Sequence, residues 1–474
     1  MKHTISFFAL IFLLCACSEE FINLAPISEQ SAANFYKNQT DLEQAVVAAY
    51  DALQDGAQYG VNGFDHFMEV IADNTFNDNT TQNGGQLANF DNFNLTANNT
   101  VLNSTWNSCY RGIQRCNIVL NRIDKIEIPD STKAVRKGEV KFIRALTCFN
   151  LVRIWGDVPL VLNEVENPFE AFEHTRNSTD AVYAQIIRDL EEAIADLPLR
   201  FKAPDVGRAT KGAAQALLGK VHLTRKQHQP AATLLEQVIA AGTYKLLPNF
   251  ADVFSSKNKN NAESIFEVQF KSGTNGEGIS TTPPTNKSDV NNRPSNDIIK
   301  LFRENPDVRF EASIALPAGA PPYSKKRLDD LGSDATFGFN AMVLRYADVL
   351  LMAAEALNEI GYQPNGKAFD YLNAVRTRAK ATPYTVNQLP NQASFRQAID
   401  KERRLELAFE NHRWFDLVRT NRALEVLNAA NLGGTSPNAA SSFPFTMKAH
   451  QVLFPLPLTQ IDASAGKLSQ NPGY

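Results

Sequence analysis

The sequence predicts a mostly α-helical protein in which tetratricopeptide-like helix pairs form a scaffold, with a loop-rich second region and few short strands. Three observations carry this expectation. Apolar residues recur every three or four positions through several long segments, the spacing that gathers them on one helical face. A unit of about 34 residues, Arg208 to Gly242, places Leu218, Gly219, His222, Ala231 and Leu235 close to the tetratricopeptide pattern, and it recurs loosely at Arg345 to Lys380. Alternation of strand type shows at Ile265 to Phe270.

The chain opens on Lys2 and His3, then an apolar run from Phe7 to Leu14, the charged head and short apolar middle of a secretory signal. At about 1.5 Å per residue this run falls far short of the ~30 Å hydrocarbon core, so it is not a spanning helix. Leu14-Cys15-Ala16-Cys17 resembles the bacterial lipobox, in which cleavage before a diacylglycerol-bearing cysteine makes that cysteine the mature N-terminus. Residues 1–16 are therefore expected to leave and Cys17 to carry the lipid. Each buried CH₂ contributes about 0.8 kcal/mol, so two or more acyl chains anchor stably. Glu19 and Glu20 resemble the surface-export signal of Bacteroidetes lipoproteins. The expected location is the outer membrane, lipid-anchored and exposed at the cell surface.

Residues 18–37 read as an extended lead. Thr40-Asp41-Leu42-Glu43 has capping-box spacing, and Leu42, Val46, Ala49, Tyr50 and Leu53 form a stripe, predicting a helix to about Gln54. From Gly56 to Thr100, Asn, Asp, Gly and Thr predominate around Phe64, Phe67, Phe76, Phe90 and Phe93, a polar loop long enough to be either functional or disordered. Trp106, Cys109, Tyr110, Ile113, Cys116, Leu120 and Ile123 predict the next helix. Phe142, Leu146, Phe149 and Val152 predict one from about Thr132 to Gly156, and Val182, Ile186, Leu190 and Ile194 one from near Ser178 to Pro198.

In the first tetratricopeptide-like unit Pro230 opens the second helix and Gly242 closes it. In the second, Ala354, Glu355 and Ala356 occupy the helix crossing, with Tyr371, Leu372 and Val375 packing back. Phe266, Val268 and Phe270 share one face of the expected strand. Lys271 to Asn292 and Ala315 to Asn340 read as irregular loops around a short helix near Asp297 to Arg303. Ser394 is expected to cap a long helix running through Glu402 to Arg419. A single body over 17–474 is expected, its helical scaffold at about 38–55, 104–255 and 340–428, and its ligand-facing insertions at about 56–103 and 271–339.

The 474-residue chain carries a formal charge of −4, which becomes −5 when Lys2 leaves with the signal. So mild an acidic balance gives no general attraction to nucleic-acid phosphates or anionic lipid, so no nucleic-acid partner is expected and the acyl anchor is the membrane attachment. Once Cys15 is cleaved away and Cys17 modified, Cys109, Cys116 and Cys148 remain, an odd and sparse set that reads as small buried hydrophobes. Cys109 and Cys116 stand about 10 Å apart along a helix, too far for a disulfide. With no C-x-x-C or H-E-x-x-H, neither a metal nor a cofactor is expected.

Further motifs run in order along the chain: Arg144-Ala145-Leu146 with Trp155-Gly156-Asp157-Val158-Pro159, Gly207-Arg208-Ala209-Thr210-Lys211-Gly212-Ala213-Ala214, and Leu344-Arg345-Tyr346-Ala347-Asp348-Val349-Leu350-Leu351. They continue with Glu402-Arg403-Arg404-Leu405-Glu406-Leu407-Ala408-Phe409-Glu410, His412-Arg413-Trp414-Phe415-Asp416-Leu417 and Gln470-Asn471-Pro472-Gly473-Tyr474. Behind a lipobox, and in this order, they resemble the SusD/RagB family of Bacteroidetes outer-membrane lipoproteins over nearly the whole chain. The resemblance implies a helical body with a loop-rich second region, sitting as a lid over a SusC-like TonB-dependent transporter and capturing nutrients for import. Most such proteins bind glycans and some bind peptides.

The charged residues of 402–416 are expected to form ion pairs that knit helices together. Gly273-Thr274-Asn275-Gly276-Glu277-Gly278 does not lead into a helix, so it lacks the dipole of a phosphate cradle. No G-x-S-x-G occurs, and no particular carboxylate pair points to glycosidic cleavage. Trp106, Trp155 and Trp414 lie in helical or scaffold motifs and are expected in the core, which departs from relatives that grip long glucans with exposed tryptophan. Sugar binding needs an aromatic face flanked by amides, carboxylates or arginines. The candidates are Asp73, Asn74, Phe76, Asn77, Asp78, Phe90 and Phe93, with Arg293 and Tyr323 on the later loops. The leading expectation is a non-catalytic oligosaccharide receptor. The alternatives are a peptide receptor, a surface hydrolase, and a helical scaffold with only protein partners.

Overall fold

A computed structural model describes residues 36–60, 63–77, 82–272, 292–326, 338–429 and 446–474. The signal, Cys17, the lead as far as residue 35, and Asp78 lie outside the described residues.

Helix α1 spans Gln39–Gln54, α2 Phe64–Val70, α3 Thr100–Arg122, α4 Asp130–Trp155, α5 Thr179–Asp196, α6 Lys211–Thr224 and α7 His228–Ala240. After a strand-bearing excursion come α8 (Asn296–Glu304), α9 (Val308–Ser313), α10 (Tyr346–Ile360), α11 (Lys367–Arg378), α12 (Gln392–Leu407), α13 (Arg413–Arg419) and α14 (Ala423–Ala429). Packing follows chain order. Helix α1 lies on α3, α3 on α4, α4 on α5, α5 on α6 and α6 on α7; α7 then packs on α10, which also meets α11 and α12. The two tetratricopeptide-like pairs, α6/α7 and α10/α11, thus become neighbours in one stack.

The helix starts have identifiable causes. Side chains of Asn99, Ser178 and Thr210 accept backbone N–H groups of the first turns of α3, α5 and α6, satisfying donors that a helix leaves open. At α1 the cap is Asn38, whose side chain accepts from Asp41 N, and not Thr40 as the spacing suggested. At α12 the cap is Asn391; Ser394 is the reciprocal partner three residues on, completing a capping box. Where α6 crosses α7, a Cβ on Gly219 would come within 2.8 Å of the Leu235 side chain, so the missing side chain sets the approach. Gly242, at φ +63, turns the chain out of α7.

The helix expected to continue to Arg419 is interrupted. After Leu407 the backbone turns through Phe409 at φ +67 and Asn411 at φ +64 before α13 begins. Non-glycine residues adopt this left-handed conformation only where surrounding contacts hold it. Here Glu69 does so: its carboxylate accepts the Phe409 N–H at 2.8 Å and the Asn411 N–H at 2.8 Å.

Strands β1 (Thr75–Phe76) and β3 (Arg293–Pro294) pair antiparallel, as do β2 (Ser264–Val268) with β6 (Ala341–Arg345) and β4 (Ile314–Ala315) with β5 (Tyr323–Ser324). β2 was expected to bury one face; it is buried on both, because α6 and the hydrogen bonds that Glu267 accepts from Asn340 and Asn260 cover what alternation would leave exposed. The three tryptophans are interior, as expected. Trp155 donates its indole N–H to Pro455 O at 3.0 Å, and Asn471 donates to the carbonyls of Trp155 and Phe454, stitching the C-terminal tail to the end of α4. Cys109, Cys116 and Cys148 are free and buried, and burial pushes the Cys116 and Cys148 thiols up to about 12.

Candidate functional site

Six residues singled out in the sequence meet in one corner. Thr75 and Phe76 of β1 face Pro294 and Arg293 of β3, β5 with Tyr323 packs on β3, and Asp73, Asn74 and Asn77 flank β1. Segments more than 200 positions apart therefore form a single strip. Phe90 and Phe93 are not part of it. Phe90 stacks on Phe67 at 4.8 Å and meets Phe454 edge-on at 5.7 Å, plugging the body beneath.

Most of the strip faces inward. Asp73 and Asn74 are fully buried, and Phe76, Asn77 and Arg293 nearly so. The expectation of a polar loop from Gly56 to Thr100, either functional or disordered, is corrected for its described residues: short helices and β1 draw these side chains into the core. Arg413 grips Asp73 in a fork, Nε to Oδ1 at 2.8 Å and Nη2 to Oδ2 at 2.9 Å. Arg404 adds a contact to Asp73 at 3.2 Å, donates to Asn74 Oδ1 at 2.9 Å and pairs with Asp297 at 2.6 Å. Asn74 donates to Glu69, and Ser295 donates to the carbonyls of Asp73 and Asn74. Burial alone would raise the Asp73 carboxyl; Arg413 and then Arg404 overcome it and hold the group below the usual carboxylate range. Among the described candidates, Tyr323 is the one that is half-buried and not fully covered, on β5 at the outer side of the corner.

Below the corner lies a dense ionic layer. Glu406 receives Arg345 at 2.6 Å, Arg309 at 3.0 Å and Arg378. Glu263 pairs with Arg345 and Arg378, Glu402 with Arg309 and Arg376, and Glu410 with Arg345 and Lys326. Alongside, Asp348 binds Arg403 and Lys220, while Asp416 joins Arg403 to Arg419. This agrees with the expected ion-pair network. Glycosidic cleavage needs one carboxyl kept protonated near a second one that is ionised. Burial raises Glu406, Glu410, Asp348 and Asp416, but their arginine and lysine partners outweigh it and hold all four low, as acceptors and not as acids.

Asp91 differs. Its carboxylate accepts the Asn77 N–H at 3.1 Å beside β1, and burial pushes it up to about 7 against that single bond. A raised carboxyl contributes stability that is complete below its unfolded value near 4 and is lost as pH rises through about 7. Asp91→Asn, which keeps the acceptor without the charge, should therefore gain on the parent protein from pH 5 to pH 8 in urea-midpoint comparisons. A gap that stays constant over that range counts against a buried, uncompensated charge.

Among the described residues no helix is long and apolar enough to cross a membrane, and no cluster of three or more His, Cys, Asp or Glu side chains could hold a metal. Two clefts lie away from the corner. One, of about 450 Å³, is lined by Phe201, Val206, Tyr244 and Asn260; the other, of about 430 Å³, by Asp55, Ser104, Asn107 and Arg111. Neither was anticipated, because their walls come from distant segments with no shared motif.

Residues 322–474 match the model described as SusD family, and residues 20–223 the model described as starch-binding, associating with outer membrane. The chain is 29% identical to SusD-like protein P25 of Formosa agariphila, over 98% of both chains. A solved structure described as a laminarin binding SusD-like protein superposes with a TM-score of 0.78 at 30% identity, covering 93% of this chain and 100% of that one. Surface glycan-binding protein A of Bacteroides thetaiotaomicron, solved in complex with laminarihexaose, shares the fold with a TM-score of 0.75 at 23% identity, over 92% and 100% of the two chains.

Proposed function

This chain belongs to the SusD family, and from that premise we propose that it is a non-catalytic surface receptor that binds an oligosaccharide and passes it to a SusC-like TonB-dependent transporter. The observation that carries the reading is the agreement, over nearly the full chain, with a protein described as laminarin binding. Cys17 holds the lipid that keeps the receptor at the outer membrane. The ligand lies against the outer side of the β1–β3–β5 corner, where Tyr323 offers a ring face and the buried set of Asp73, Asn74, Phe76, Asn77 and Arg293 fixes the backbone behind it. The ionic layer supports the same assignment: its low carboxylates suit rigidity and give poor proton donors.

Isothermal titration against a panel led by laminarin oligosaccharides, with other glucans and peptides, is the test. Saturable sugar binding that weakens at least tenfold in Tyr323→Ala is expected, since a stacked ring contributes much of a sugar site. Binding of peptides alone would replace the sugar by a peptide ligand. Recovery of shortened oligosaccharide after incubation would make the protein a hydrolase.

A further inference from the structure

The loops that follow α5 and α7 meet beside the start of α6 and wall the cleft of about 450 Å³, which lies away from the β1–β3–β5 corner. Hydrogen bonds tie the walls together. Lys211 N donates to Pro198 O at 2.9 Å, the Arg200 guanidinium to Thr243 O at 3.0 Å, and Lys245 N to Ala262 O at 2.9 Å. Tyr244 shares a hydrogen bond with the Thr210 hydroxyl at 2.8 Å, and its ring lies where a Cβ on Gly212 would come within 2.7 Å, so the glycine is what admits the ring. Phe201 and Tyr244 are half-buried, while Leu199 and Val206 stand 58% and 50% exposed at the rim. Asn260 exchanges two hydrogen bonds with the Gln269 amide, at 2.8 and 3.0 Å, which fixes its plane and leaves one N–H to spare.

Charge in the cleft is uneven. Arg208 is neutralised by Glu43, Glu139 and Asp205. Glu267 belongs to the buried back wall, where its carboxylate accepts from the Asn340 amide at 2.7 Å and the Asn260 N–H at 3.1 Å. Arg200 and Lys245 are exposed at the mouth, with no carboxylate partner among the described residues. On a chain of formal charge −4, two uncompensated cations over one cleft reverse the field locally.

We propose that this cleft is a second carbohydrate site, for a sugar unit that carries an anionic group, a carboxylate or a sulfate. Its volume falls in the range of small-ligand sites, and its lining joins ring faces to a few placed polar groups. Phe201 and Tyr244 offer surfaces for the apolar face of a pyranose, and the spare Asn260 N–H meets a hydroxyl. Arg200 and Lys245 take the anion. Because Arg200 is already tied to Thr243 O, its remaining N–H groups are presented in a fixed direction, which lowers the entropy lost on binding. A neutral sugar leaves both cations unanswered, so charge sets the specificity. The site stands on these residues alone and does not depend on the ligand of the corner or on the transporter.

The full mature chain is titrated calorimetrically with digalacturonate and with a 6-sulfated galactose disaccharide. Saturable binding of at least one is expected, and the one that binds identifies the anion. Its uncharged counterpart, the dimethyl ester or the desulfated disaccharide, should bind at least tenfold more weakly. Arg200→Gln with Lys245→Gln should weaken the anionic probe at least tenfold and flatten its salt dependence, with the thermal midpoint unchanged. Tyr244→Leu should weaken it too, whereas Tyr244→Phe, which keeps the ring and loses only the bond to Thr210, should retain it. Binding of neither anionic probe, or parental affinity in the double glutamine variant, overturns the second site and leaves the corner reading intact. Loss of the anionic probe in Tyr323→Ala would place that ligand at the corner and overturn the proposal. Laminarin oligosaccharides that fail to bind while the anionic probe is held overturn the corner reading alone. If inorganic sulfate binds as tightly as the charged sugar, the cleft is a bare anion contact and the proposal fails.

Discussion

Glu406→Gln should cost about 3–5 kcal/mol of folding stability, the range for removing one partner of a buried ion pair. Glu406 is fully buried and neutralises parts of three guanidinium groups at once, those of Arg309, Arg345 and Arg378. The amide keeps the shape and one acceptor oxygen, but its NH₂ group points a donor at an arginine and leaves the layer with an uncompensated positive charge. For a domain of this size the thermal midpoint should fall well beyond the effect of a surface change. The pair Arg396–Glu359, with Arg396 about half-exposed, supplies the control: Arg396→Ala should cost roughly 1 kcal/mol or less. Urea titrations of both variants decide the matter, and similar midpoints would mean that the ionic layer contributes no more than a surface pair.

Acid should reveal the same layer. Glu406, Glu410, Asp348 and Asp416 are held below their unfolded values, so their contribution is present above about pH 4 and is lost as pH falls through the lower folded values. This has the opposite sign to the Asp91 effect, and Glu406→Gln, which lowers stability at neutral pH, should flatten the acid limb while leaving the slope of the neutral one unchanged.

Asp73→Asn should behave as a folding lesion, costing about 2–4 kcal/mol by leaving Arg413 and Arg404 without their shared carboxylate. The consequence for binding is specific. If Asp73 only braces the corner, sugar affinity measured well below the variant's melting temperature should fall modestly and return as a stabilising osmolyte is added. If Asp73 instead touched the ligand, affinity would collapse while the thermal midpoint held. Paired calorimetry and titration separate the two outcomes, and Asp297→Asn, on the outer side of Arg404, provides a milder version of the first.

The two classes of expectation fared differently for a physical reason. Helices α3 to α7 and the α10/α11 pair were legible because their signal is local: apolar spacing, a cap, a proline or glycine at the end. The break after Leu407 was not legible. Residues 402–419 carry helical spacing throughout, and the interruption is imposed by Glu69, more than 330 positions away, whose carboxylate claims two backbone donors. The same distance effect governs the candidate site. Polar residues around Phe76 look like loop residues beside one another in sequence, yet Arg404 and Arg413 reach them from α12 and α13 and turn them into core.

By itself, then, the sequence determined the helical stack, the interior tryptophans and cysteines, and the family to which the chain belongs. Only the tertiary structure decided which candidate side chains face inward, that segments more than 200 positions apart meet at one corner, and that Tyr323 is the half-buried one among the described candidates. Periodicity is written into neighbouring residues, whereas the exposure of a given side chain depends on what distant charges and rings arrive to cover it.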